Sequence, residues 1–202
     1  SFDLRWLQSA ITLTKEQIGL FADTSGGGFF DGSGKDPTVL IRTKEDYDGA
    51  EPSGNSIAAL NLFRLAQMTD SKELRAMAEK TITAFGSRLR SSPEAVPEML
   101  VALDWSSSTP REIIIAGDAG GADTGALLSE VHAHFIPVRV LMLADGGEGQ
   151  REIASLLPFI AGIKAAGGKA TAYICENYAC QLPSSDRAVV ARLLARPGRE
   201  RK

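Results

Sequence analysis

Ten residues of this chain leave little freedom over how they can be buried. "IAALNLFRLA", Ile57–Ala66, lies in a run from about Ser53 to Met68 that reads as a helix, and its apolar residues face nearly every direction. A helix of that kind must be covered on more than one side. Asn61 and Arg64 are its polar exceptions. A buried arginine calls for a carboxylate, as a structural ion pair or beside a ligand.

The neighbouring helices are one-sided. Leu4, Leu7, Ile11, Ile18 and Phe21 recur at three- and four-residue steps. Leu74, Met77, Ala78, Ile82, Phe85 and Leu89 line one face of a third helix, with Lys72, Glu73, Glu79 and Lys80 outside. A fourth follows Pro93 with Val96, Met99, Leu100 and Leu103. One-sided and many-sided helices in antiparallel hairpins make a two-layer α/α arrangement. These four are too few to close a barrel. Residues 1–106 therefore read as an incomplete (α/α) barrel, completed by helices upstream or by a second copy. The chain opens in helical pattern without an initiator Met, as a piece of a longer one would.

The long connection before the second helix, "DTSGGGFFDGSGKDPTVLIRTKEDYDGAEP", predicts a β-hairpin of "GGGFF" and "VLIRTK" around "DGSG", lying over one end of the helices. The pattern changes near Ser106–Pro110. From 111 to 202, β-branched runs alternate with helical ones, which predicts a small parallel sheet with crossover helices and a last helix over about 185–195. The fold class is mixed: α hairpins, then α/β.

Glu45, Asp46, Asp48 and Glu51 crowd the mouth of the second helix. In an extended segment Asp46 and Asp48 share a face. Three readings stand: an acid/base pair of the kind that hydrolyses glycosides, a hard-cation site, or partners of the helix dipole, with Ser53 as cap after Pro52. D-x-D-G-x-E falls short of a calcium loop, and no metal or cofactor is expected. Asp46, Asp48 and Glu51 are the catalytic candidates, and Asn55 and Arg64 the candidates for binding a substrate.

"GDAGGADTG" and "DGGEG" each follow a strand and open a helix, without G-x-G-x-x-G or P-loop spacing, and read as tight turns. In a parallel sheet Asp118, Asp145 and Cys175 would share the carboxyl edge, where such sheets hold ligands. Cys175 and Cys180, spaced C-x4-C, fit neither a redox motif nor a zinc set. They read as free thiols, with a reversible disulfide as the other possibility. His132 and His134 read as surface residues of an amphipathic helix. A net charge of −3 argues against nucleic acid and membrane surfaces, and the sparse cysteines point to the cytoplasm.

"GGGFFDGSGKDP", "LIRTKEDYDGAEPSGNSIAALNLFRLA", "MLVALDW" and "ATAYICENYACQLP" together resemble the C-terminal region of thioredoxin-domain proteins related to spermatogenesis-associated protein, a family of unknown function. The resemblance covers nearly the whole chain. It implies an N-terminal thioredoxin-like domain outside this chain and an α/α barrel similar to six-hairpin glycosidases and N-acylglucosamine 2-epimerases. From it follow a carbohydrate-like substrate or, alternatively, a non-catalytic scaffold serving the thioredoxin-like domain. The partner would be the rest of a longer chain or another copy. The epimerases' barrel histidines have no counterpart before residue 107.

Overall fold

The computed structural model describes residues 2–177 and 179–195. They form two compact units, one over residues 5–107 and one holding residue 108 onward. Mixed helix and sheet is the architecture.

The helical unit carries α1 (Leu4–Phe21), α2 (Gly54–Thr69), α3 (Lys72–Ala84), α4 (Gly86–Ser91) and α5 (Pro97–Ser107). Helix α2 packs against both α3 and α5. It buries Ala58, Ala59, Leu60, Leu62, Phe63, Leu65 and Ala66. Full burial of a side chain such as Leu62 or Phe63 stabilises by about 1.5–3 kcal/mol before entropy is counted. Its boundaries follow local chemistry. The hydroxyl of Ser53 accepts from the Ser56 amide, and Asp70 ends the helix in the left-handed region at φ 51°. Ser71 then caps α3.

Most of α2 is thus enclosed within its own unit. The exposed remainder is one stripe, Gly54, Ile57, Asn61 and Arg64. This corrects two expectations. The all-round apolarity of α2 is met by its neighbours here and does not itself demand a barrel. Arg64 is solvent-exposed and no buried partner is needed, because positions 57, 61 and 64 share the one face that α3 and α5 leave open.

Three further departures are local. The third helix breaks at Phe85, whose ring is buried, before Leu89 is reached. In α5 the inward face is Met99, Ala102 and Trp105, continuing from Val96 in steps of three, while Leu100 and Leu103 are exposed. The expected β-hairpin is not formed. Ala22 and Phe29 make an isolated bridge, and the Asp31 amide bonds the Thr43 carbonyl at 2.9 Å. Side chains do the rest. Asp31 accepts from Thr43 Oγ1 and the Glu45 amide, and the Arg42 guanidinium stacks 4.0 Å from the Phe30 ring centre. Such side-chain bonds offer the backbone an alternative to a ladder.

In the second unit the order is β1 (Arg111–Ala116), α6 (Ala122–His132), β2 (Arg139–Ala144), α7 (Glu148–Leu156), β3 (Thr171–Glu176), β4 (Ala179–Cys180) and α8 (Arg187–Leu194). The sheet runs β2-β1-β3-β4. Strands β1 and β2 are parallel, as the crossover pattern predicts, but β3 is antiparallel to β1, with Ala116 opposite Thr171 and Arg111 opposite Glu176. The sheet is mixed and not parallel.

Gln150 marks where the chain turns back. Its amide nitrogen donates to the carbonyls of Ile160 and Ile163, at 2.7 and 2.9 Å. These bonds hold the segment after α7 at the edge where β2 ended, the edge from which β3 starts in the opposite direction. Ile113, Ile115, Leu127, Val131, Ala172, Ile174, Val190 and Leu194 form one core between the sheet, α6 and α8. The buried Arg111 ties the far edge, bonding Glu176 at 2.8 Å and the Leu194 carbonyl at 2.7 Å.

Candidate functional site

The acidic segment leads into α2, and each of its members has a different environment. Asp48 is buried. Its Oδ1 accepts from the Ser53 amide at 2.8 Å, and Oδ2 accepts from the amides of Glu98 and Met99 at 2.8 and 3.3 Å. Its own amide donates to the Ala95 carbonyl at 2.8 Å. One carboxylate therefore serves the N-termini of both α2 and α5, where the orphan amides and the dipole favour negative charge. Burial pushes its pKa up. The Ser53 amide, the Ser56 and Ser53 hydroxyls and the Glu98 amide together outweigh that, and the group stays below its ordinary value.

Asn55 is equally committed. It accepts from the Phe29 amide at 2.7 Å and donates to the carbonyls of Phe29 and Glu45 at 2.9 and 3.2 Å. Gly28 makes the approach possible. It sits at φ 74°, and a Cβ there would lie 3.0 Å from Asn55 Oδ1. The long loop is thus held at both ends by buried polar groups of the α2 mouth.

Asp46 and Glu51 are exposed. The Arg88 Nε donates to the Asp46 carbonyl at 3.2 Å and lies 3.6 Å from its carboxylate. Arg64 stands on the open stripe of α2. The five predicted site residues thus divide: Asp48 and Asn55 are built into the helix mouth, and Asp46, Glu51 and Arg64 face solvent. Among the described residues no group of three or more His, Cys, Asp or Glu is placed to hold a metal ion.

Sequence reasoning did not identify Asp23. Its carboxylate takes the Lys44 ammonium at 2.7 Å and the Ser25 and Gly26 amides, and Lys44 first, then Gly26, holds its pKa well below the usual range. The Asx-turn sequence "DTSG" carried that signal.

At the sheet, Asp118 and Asp145 follow β1 and β2 and share the carboxyl edge. Cys175 does not, because the reversal of β3 carries it to the opposite edge, across from Glu112. Nor are the thiols free: Cys175 and Cys180 form a disulfide. The β3–β4 hairpin pairs Glu176 with Ala179 and Cys175 with Cys180, so C-x4-C is the spacing that sets two residues opposite each other beyond a two-residue turn. His132 ends α6 and is exposed; His134 lies past it, its Nδ1 2.9 Å from the Glu130 carbonyl.

Over 190 residues, 94% of its length, the chain is 41% identical to human spermatogenesis-associated protein 20, and 42% identical to the rat protein of that name. It is 28% identical over 166 residues to an uncharacterized protein of Caenorhabditis elegans. The chain spans about a quarter of the length of the mammalian relatives, 24%. No family model and no solved structure matches it. The chain is thus related to spermatogenesis-associated protein 20 along nearly all of its own sequence.

Proposed function

We propose that this chain works as a non-catalytic scaffold or recognition module within a longer polypeptide. Its helical part belongs to an α/α-barrel-like body in that polypeptide. The observation that carries this reading is Asp48. An acid or base needs a carboxylate with an oxygen free to meet a substrate proton, and both oxygens of Asp48 are occupied by the amides of Ser53, Glu98 and Met99.

Helix α1 supports the larger body. Its one buried residue is Thr14, and Trp6 and Leu13 are 67% and 63% exposed. An 18-residue helix with so little cover suits a further apolar surface, supplied by the rest of a longer chain or by another copy. No described helix is long and apolar enough to cross a membrane. A cytoplasmic location belongs to this reading, and there the Cys175–Cys180 disulfide would be open to reduction.

The competing reading is a barrel that handles a carbohydrate-like substrate. It would have to act through Asp46 and Glu51, the exposed carboxylates at the mouth. The test is ligand-observed NMR with N-acetylglucosamine and cellobiose on the chain and on its Asp46→Asn/Glu51→Gln variant, with product analysis. A scaffold gives no saturable binding and no turnover. Saturable binding abolished by the double substitution would overturn the proposal.

A further inference from the structure

A cleft of about 490 Å³ opens at the carboxyl edge of β1 and β2. It lies within the second unit, away from the acidic segment, between the glycine turns after the two strands, the start of α7 and the segment 161–165.

Its walls are braced from within. Gln150 is buried; besides holding Ile160 and Ile163 it accepts from the Gly146 amide at 2.8 Å. One side chain thus fixes the turn on one wall and the returning segment on the other, so the cavity does not depend on a loop closing. The lining includes Ala144, Ala154 and Ile163, which offer an apolar surface of ligand size.

The charges are unequal in their freedom. Asp145 Oδ1 already accepts from the Gly147 and Gln150 amides, at 2.8 and 2.9 Å, and Asp118 accepts from the Gly120 amide at 3.3 Å. Arg151 and Lys164 line the same cleft and are exposed. Among the described residues neither is ion-paired. Two cations without an ion pair thus line a partly apolar pocket, in which Asp145 and Asp118 each have one oxygen engaged by backbone.

We infer that this cleft binds a small organic anion: a carboxylate or phosphate ester on an apolar body, with the anionic group at Arg151 and Lys164 and the body against Ala144, Ala154 and Ile163. The carboxylate and phosphate arms of the test separate the two chemistries.

Phenyl phosphate, benzoate and neutral benzyl alcohol are titrated into the ¹⁵N-labelled chain, and the amides of Gly117, Gly146, Gly147 and Gly149 are followed. At least one anion shifts them saturably while benzyl alcohol does not. Arg151→Gln/Lys164→Gln weakens that binding about tenfold, as expected for two exposed charge contacts. Ala154→Trp, which fills the cleft, removes it with an unchanged circular dichroism spectrum. Should Ala154→Trp fail to fold, Ala161→Trp, at an exposed position of the lining, takes its place. No saturation by either anion up to roughly 20 mM, a weak interaction by any measure, overturns the inference. So does an affinity untouched by the charge or the filling variants.

Discussion

Asp48 and Asp145 are both aspartates in glycine-bearing loops before a helix, and the two units use them differently. Among the described residues Asp145 reaches only its own turn, the amides two and five residues on. Asp48 reaches the amide of Ser53 with one oxygen and, with the other, the amide of Glu98, fifty residues away. The first is a local cap, formed as soon as the turn forms. The second exists only once α2 and α5 are side by side, and it fixes which helix ends meet. A carboxylate of one sequence type can therefore be a detail of a turn or the joint of a fold, and the reach of its oxygens decides which.

The largest expected effect separates the two. Asp48→Asn places amide hydrogens against amide donors that now lack an acceptor, each costing about 1–3 kcal/mol. Urea denaturation of the chain is expected to show a loss of about 3 kcal/mol. The acid limb gives the sign. Asp48 titrates below its free value of 3.8, so the unfolded chain takes up the proton first as pH falls. Its stabilisation is complete above about pH 4 and fades as acid carries the solution through the folded pKa. Below about pH 4 the wild-type midpoint should drop more steeply than that of Asp48→Asn; equal slopes would remove Asp48 from the joint.

Asn55→Ala comes next, at about 2 kcal/mol, since it strands the buried Phe29 amide and frees two carbonyls. Hydrogen exchange at Phe29 should rise with it. Asp145→Ala is expected to cost only about 1 kcal/mol, the ordinary worth of a helix cap. A loss as large as that of Asp48→Asn would erase the contrast between local and distant reach.

The same contrast explains what could be read in advance. The helices and the cap at Ser53 are written in nearest neighbours and periodicity. The acidic segment was visible as a candidate, but a carboxylate poised for chemistry and one bonded to a helix fifty residues on look alike in sequence. The reversal of β3 was hidden for a similar reason. The return of the chain to the start of α7 is held by Gln150 bonding Ile160 and Ile163, contacts that no alternation of strand and helix announces. The cysteine pair was misjudged because its spacing was held against redox and zinc motifs, when hairpin register was the relevant rule.

The smallest effect tests the comparison from the other side. Asp46 and Glu51 belong to the same acidic segment as Asp48, yet neither is buried. The Arg88 contact of Asp46 is an exposed pair at 3.6 Å, of the kind worth little in water. Asp46→Asn and Glu51→Gln should each leave the urea midpoint within about 0.5 kcal/mol of wild type, the range of surface changes that break no buried contact. If reach and not charge sets the role of an aspartate, these neighbours must be nearly silent while Asp48, two residues from one and three from the other, is not. A loss at Asp46 or Glu51 comparable to that at Asp48 would mean that the helix mouth is held by the segment's summed charge, and that the specific amide bonds of Asp48 are secondary.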